Sequence, residues 1–284
     1  MTSADFQREP DFYREIALIV RRALDEDLPD ITSDAIFEPG DRGRARFLMK
    51  APGIVAGLAF AERTFAAIDP SASFVAKRND GDEVTTGDVV AEVAGSVVAL
   101  LAGERTALNL MQRASGIATT TRRYVDAVRG TKAGIYDTRK TAPGLRALDK
   151  YAVRCGGGHN HRIGLYDMFL IKNNHIDRVG SITAAVERIR SKAMPQKIMV
   201  EVRNRAELDE ALRLRPDFIL LDNMPPAEMR AAVEHVAGAV PLEASGGITI
   251  DNVREIAETG VDRISIGALT HSVVALDISM RIER

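Results

Sequence analysis

The hydrophobic rhythm of the chain changes about halfway along. From residue 134 onward, short apolar runs recur, and each stops on a polar residue or a glycine. Gly134-Ile135-Tyr136 leads to Asp137, Phe169-Leu170-Ile171 to Lys172 and Ile198-Met199-Val200 to Glu201. Further on, residues 218–221 lead to Asp222, 241–244 to Ser245-Gly246-Gly247, and 263–266 to Gly267. Runs this short and this apolar read as buried strands. Several are followed by segments with apolar residues at helical spacing, beginning at Arg205, Pro226 and Ile250. The alternation predicts βα units and a parallel sheet, closed or nearly closed into a barrel. Strand ends then share one face, so residues far apart in sequence meet in one pocket.

The first half has a different texture. Residues 12–24 have helical spacing, and the acidic, proline-containing Glu26–Asp34 must break that helix. Strand-like pieces follow at 44–50 and 71–77, with a helix between them over 59–67. Residues 80–101 alternate valines with polar residues and place glycines at turns, which predicts a small sheet domain. A long helix over Gly103–Val128 then joins the two halves.

Composition sets bounds. With 284 residues, 45% of them hydrophobic and 27% charged, the chain can bury a sizeable core in one large domain or two. A net charge of −2 argues against a bulk nucleic-acid or anionic-membrane binder, so any anion site is local. No apolar run approaches a membrane span, and the first residues lack the charged-then-apolar order of a signal peptide, which makes a cytoplasmic protein the expectation. The lone Cys155 excludes an internal disulfide and reads as a small packing residue.

Candidate chemistry concentrates between Asp137 and His175. Arg139, Lys140, His161, Arg162 and Lys172 sit there in loops broken by glycine and proline, with the triple glycine 156–158 in the middle. Solvated charge usually alternates in sign along a helix face, whereas these cations can converge on one ligand with several negative groups. His159 and His161 are spaced like a metal-ligand pair. Five histidines and one cysteine, however, give a zinc or iron site little to build on. The GxxxxGK[ST] phosphate loop is absent.

These stretches resemble the quinolinate phosphoribosyltransferase family along nearly the whole chain. The motifs are DTRKTAPGLR, GGGHNHRIGLYDMFLIKNNH, GERTALNLMQRASGIAT, VEVRN, FILLDNM, LEASGGI and ISIGALTHS. Asn173 departs from the pattern, which has an acidic residue there. The resemblance implies an α/β protein with an N-terminal α/β sandwich over 1–112, an incomplete, open α/β barrel over 113–270, and a tail over 271–284 that packs back on the first domain. It implies phosphoribosyl transfer from phosphoribosyl pyrophosphate to quinolinate with decarboxylation, giving nicotinate mononucleotide for NAD biosynthesis, with Mg2+ required. It also implies a homodimer with shared active sites, with assembly into hexamers left open.

On this resemblance, Arg105, Thr138, Arg139, His161, Arg162 and Lys172 take the two carboxylates of quinolinate, Arg105 coming from the neighbouring subunit. Glu201, Asp222 and Lys140 carry the catalytic work, the carboxylates holding ribose hydroxyls or magnesium beside a sugar cation and Lys140 touching the pyrophosphate. Ser245, Gly246 and Gly247 form one phosphate turn, with Ile266, Gly267, Ala268 and His271 as the other half of the clamp. Two alternatives stand beside this reading. One is a paralogue of the same fold acting on another aromatic acid; the other is a non-catalytic anion-binding protein, against which the carboxylates Glu201 and Asp222 speak.

Overall fold

The computed structural model describes residues 10–38 and 40–283. Residues 1–9, on which the leader expectation rests, lie outside them. The chain forms two compact units. One runs through Arg122 and takes in Thr141–Gly157 and the residues from Leu269 onward; the other comprises Arg123–Lys140 and Gly158–Ala268. No helix among the described residues is long and apolar enough to cross a membrane.

The first unit opens with helices α1 (Pro10–Asp27) and α2 (Ile31–Ile36). Strands β1 (Arg42–Met49) and β2 (Gly53–Ile54), helix α3 (Leu58–Ile68), and strands β3 (Ser73–Ala76), β4 (Glu83–Val84) and β5 (Val89–Ser96) follow. Helix α4 (Val97–Ala127) comes next, and β12 (Ile278–Ile282) returns from the far end of the sequence. The antiparallel sheet has the order β12-β1-β5-β3. Strand β1 shows why it lies flat on a core: Ala45, Phe47 and Met49 are buried while Arg44 and Arg46 are exposed, the two-residue period of a one-sided sheet. Phe47 pairs in register with Met280 and Ala91, and packs with Phe65, Leu100 and Met111.

Helix α4 begins at Val97, six residues before the expected start at Gly103. Val97 and Val98 are β-branched and continue the apolar pattern of the strand before them. The Ser96 hydroxyl nevertheless accepts the Ala99 amide at 3.1 Å, and this cap turns the chain into helix. Gly116 sits within α4 for a packing reason. A Cβ there would lie 2.2 Å from the Val274 carbonyl oxygen, so only glycine lets the returning chain approach. That chain is fastened to α4 by Leu276 donating to the Gln112 carbonyl (3.0 Å) and by Gln112 Nε2 donating to the Ile278 carbonyl (2.7 Å).

Helix α5 (Arg146–Cys155) also belongs to this unit. Arg113 binds the fully buried Asp149 through Nε and Nη2, both at 2.8 Å, and Tyr151 donates to Asp80 at 2.7 Å. Cys155 is buried at the end of the helix, and burial pushes its thiol up, which agrees with a packing role.

The second unit is a six-stranded sheet of β6 (Gly134–Tyr136), β7 (Phe169–Ile171), β8 (Ile198–Val202), β9 (Phe218–Asp222), β10 (Leu242–Ser245) and β11 (Arg263–Ser265). Every pairing is parallel, in the order β6-β11-β10-β9-β8-β7. All six strands fall where apolar runs predict them. The sheet is open because β6 and β7, consecutive in sequence, occupy opposite edges. Along the β6 edge, His159 forms a further parallel bridge to Tyr136.

Helices α6 (Asn173–Val179), α7 (Ile182–Arg190), α8 (Arg205–Leu214), α9 (Pro226–Val236) and α10 (Val253–Ala257) complete the βα pattern. Helix α8 starts where Asn204 accepts the Glu207 amide at 3.0 Å. The helix expected from Ile250 begins only at Val253, because Asn252 accepts the Thr249 amide (2.8 Å) and donates to the Gly247 carbonyl (3.0 Å), holding 249–252 as a turn. A short helix, α11 (Ala268–His271), leads out of the sheet.

Candidate active site

The strand register sets one face of the sheet. Asp222 lies opposite Ser245, Ser245 opposite Ser265 and Ser265 opposite Tyr136. Glu201 pairs with Leu220, two residues before Asp222, so both carboxylates point to the same side. Glu201 is 7% exposed and accepts the Asn173 amide at a long 3.4 Å. Burial, and after it the charge of Asp222, pushes the Glu201 carboxyl above its ordinary value. Asp222 accepts the Asn223 side-chain amide at 3.0 Å.

The cations come from the loops after β6 and before α6. Arg162 is half-buried and donates Nη1 to the Met168 carbonyl at 3.0 Å. The turn beyond it is closed by Asp167, which accepts the amides of Ile163 (2.7 Å) and Gly164 (2.9 Å). Burial first, and then the like charge of Arg139, pull Arg162 below its ordinary value. The two guanidiniums are therefore close enough for their like charges to act on one another, with Asp167 partly offsetting the effect on Arg162. Lys140 is exposed, its amide bound by the Thr138 hydroxyl at 3.0 Å. Lys172 is exposed at the start of α6, its amide donated to His175 Nδ1 at 2.9 Å, and its charge acts on Glu201.

His161 differs from the other expected quinolinate contacts. It is 8% exposed, its amide donates to Asp137 at 2.8 Å, its Nδ1 accepts the Arg162 amide at 2.7 Å, and its Nε2 lies 3.4 Å from Glu243. The ring is committed to the protein interior.

In the turn after β10, expected to bind phosphate, Gly246 has φ +97° and Gly247 φ +61°. A Cβ on Gly246 would meet Asn223 Oδ1 at 2.1 Å, so glycine is needed on both counts. The Asn223 amide donates to the Ser245 carbonyl at 2.9 Å, tying the two strand-end loops together. A cavity of about 370 Å³ opens beside them, lined by Asn223, Met224, Met229, Gly246, Gly247 and Asn252. The buried Ile266 donates to the Tyr136 carbonyl at 2.9 Å, and Gly267 and Ala268 follow, half-buried.

Arg105 and His271 belong to the first unit. Arg105 is exposed on α4 and forms no ion pair among the described residues, Glu104 included. His271 Nδ1 lies 2.7 Å from the Ser272 hydroxyl.

Sequence reading gave Asp137 no role beyond ending a strand, and it passed over two charged residues inside strands of the second unit. Asp137 is fully buried and holds both the His161 amide and the Asn160 side chain (2.6 Å). Glu243 is fully buried on β10, with Arg263 Nε 2.8 Å away. The Arg263 guanidinium lies over Tyr136 (3.9 Å) and Phe218 (4.5 Å). A charge inside a predicted strand was the available signal.

A parallel α/β unit that sets paired arginines, paired carboxylates and glycine turns at its strand ends is arranged like a transferase of anionic substrates. Residues 30–115 match the N-terminal domain, and 117–281 the C-terminal domain, of quinolinate phosphoribosyl transferase. The chain is 46% identical over 253 residues to a probable nicotinate-nucleotide pyrophosphorylase [carboxylating] of Bacillus subtilis, covering 88% of this chain and 87% of that one. It is 44% identical over 269 residues to the nicotinate-nucleotide pyrophosphorylase [carboxylating] of Mycobacterium leprae, covering 92% and 95%. The solved nicotinate-nucleotide pyrophosphorylase of Francisella tularensis superposes with a TM-score of 0.90 at 37% identity, covering 95% and 97%. The chain belongs to the quinolinate phosphoribosyltransferase family, and its activity is that transferase step of NAD biosynthesis.

Proposed function

We propose that the chain transfers a phosphoribosyl group from phosphoribosyl pyrophosphate to the ring nitrogen of quinolinate and releases carbon dioxide, in the cytoplasm. The observation that carries this reading is the opposition, within one unit, of a repelling cation pair, Arg139 and Arg162, and a repelling carboxylate pair, Glu201 and Asp222. A dicarboxylate relieves the first and a cationic sugar relieves the second. Thr138, His161 and Lys172 complete the quinolinate contacts. The ring nitrogen displaces pyrophosphate at the anomeric carbon while Glu201 and Asp222 hold the ribose hydroxyls and stabilise positive charge on the sugar. The quaternised pyridinium then accepts the electron pair left by the departing carboxylate, and a proton replaces it on the ring. Lys140 binds the pyrophosphate. The 245–247 turn, with Ile266, Gly267 and Ala268, binds the 5′-phosphate.

Magnesium fits the donor set. Glu201 and Asp222 offer hard oxygens that would hold the ion, and its charge would offset the burial and the like charge of Asp222 that raise Glu201. Among the described residues no group of three or more His, Cys, Asp or Glu is placed to hold a metal, so these two would share the ion with substrate oxygens and water. When bound, magnesium supplies charge neutralisation at the pyrophosphate. Arg105, exposed and without an ion pair among the described residues, supports a homodimer in which it reaches the partner's site.

The test is a parallel assay of quinolinate, nicotinate and nicotinamide, each with phosphoribosyl pyrophosphate and magnesium. Nicotinate mononucleotide from quinolinate alone is the expected result. Turnover of another aromatic acid in preference to quinolinate would point to a paralogous acceptor, and no turnover with retained anion binding would point to a binding protein.

A further inference from the structure

We propose that Glu243 is a positioning residue for dicarboxylate recognition: from inside the parallel sheet it holds the His161 imidazole with its proton on Nε2, and His161 Nδ1 then fixes the amide of Arg162. The proposal rests on the reading of Arg162 as a quinolinate contact. It assigns a task to a fully buried residue.

A fully buried carboxylate must be paired to stay ionised. Glu243 has Arg263 Nε at 2.8 Å from Oε2 and His161 Nε2 at 3.4 Å from Oε1, yet neither contact is aligned as a hydrogen bond. Buried ion pairs of this kind contribute little to stability, and an apolar pair of similar volume would serve the core as well. What the pair does provide is orientation. Tyr136 and Phe218 stack on Arg263 and fix the plane of its guanidinium, which fixes Glu243 in turn.

On the other side of the imidazole, Nδ1 lies 2.7 Å from the Arg162 nitrogen, whose hydrogen it accepts. Nδ1 therefore carries no proton, and the proton of the neutral ring sits on Nε2, facing Glu243. Arg162 is thus suspended from the sheet interior by its own amide, and from the 168 carbonyl by its guanidinium. Losing the first anchor frees the backbone from which the cation is presented.

The test needs variants that leave no lone charge in the core. Glu243→Met/Arg263→Met removes both charges and the polar oxygen that faces His161 Nε2. Glu243→Gln/Arg263→Met removes both charges but keeps an amide oxygen that can accept from Nε2. Quinolinate affinity by titration is expected to fall by roughly tenfold or more in the first and to stay within about threefold of wild type in the second, with phosphoribosyl pyrophosphate affinity unchanged in both. A merely structural role would affect both variants, and both ligands, alike. Independently of the two double variants, 15N spectra of histidine-labelled wild-type protein, with the His161 signal assigned by its loss in His161→Asn, should show protonation at Nε2. A proton on Nδ1, or equal quinolinate affinity in the two double variants, overturns the proposal alone. Wild-type protein that binds no quinolinate would overturn the functional reading, and this proposal with it.

Discussion

Arg162→Met separates what the guanidinium does for the ligand from what it does for the fold. In the free protein the side chain makes one hydrogen bond, to the Met168 carbonyl, and is otherwise opposed by burial and by Arg139. Losing a charged hydrogen bond costs about 1.5–3 kcal/mol, and releasing a half-buried, repelled charge offsets part of that. Stability of the free variant is therefore expected to stay within about 1.5 kcal/mol of wild type. Quinolinate binding has no such offset. Removing one partner of a desolvated charge pair costs about 2–5 kcal/mol, which is roughly a 30- to 5000-fold rise in Kd. Arg162→Lys should recover only part of this, because an ammonium cannot replace a planar two-pronged contact and loses the bond to Met168. Isothermal titration of quinolinate and urea unfolding of the free protein measure the two quantities side by side. Unchanged quinolinate affinity in a folded variant, or a stability loss larger than the affinity loss, would refute the reasoning.

Three further outcomes follow from the structure. Glu201→Gln should bind quinolinate and lose turnover at saturating magnesium. Because the Glu201 carboxyl is raised in the folded chain, its destabilising charge is absent below the ordinary carboxylate value and fully present above the raised one, so the variant should gain stability relative to wild type as pH rises from the ordinary carboxylate value through the raised one; a difference that does not change with pH in urea unfolding would count against this. Arg105→Ala and Lys172→Ala should each be nearly inactive, yet refolding them together should restore about a quarter of wild-type activity, since about half the dimers are mixed and each holds one intact site; no rescue despite subunit exchange would place Arg105 in its own chain's site or in none. Gly116→Ala would favour an isolated helix by about 1 kcal/mol, but the clash with the Val274 carbonyl should make it destabilising by about 1–3 kcal/mol in chemical denaturation.

The parallel sheet was legible because each strand is a short apolar run ended by a polar residue, and a period of that kind survives any tertiary context. Helices α8 and α9 were legible to the residue at both ends, where the apolar spacing starts and stops. The start of α4 was not, since Val97 and Val98 carry the same local preference as the strand before them and a single serine cap outweighs it. The loop cations could be read from their Gly/Pro-broken setting. Helix α5, lying in the midst of those loops, gave no sign that it joins the first unit: Asp149, Lys150 and Tyr151 are all buried, and pattern reading assigns such residues to a surface. Glu243 and Arg263 were passed over for a related reason. Each lies in a run that is otherwise apolar, and only the strand register shows that they face one another.

Strand β12 has a consequence for how the protein is made. It covers the outer side of β1, pairing Ala45 through Met49 with residues 278–282. Those residues leave the ribosome after the entire second unit, and α5 leaves it only after β6. The first unit thus cannot close as its own sequence emerges. Throughout that interval β1 has an unpaired edge bearing Phe47 and Met49 on one face, a ready template for another chain. The exposed arginines at 44 and 46 place charge along this strand, and charge on an open edge discourages wrong partners until the right one arrives.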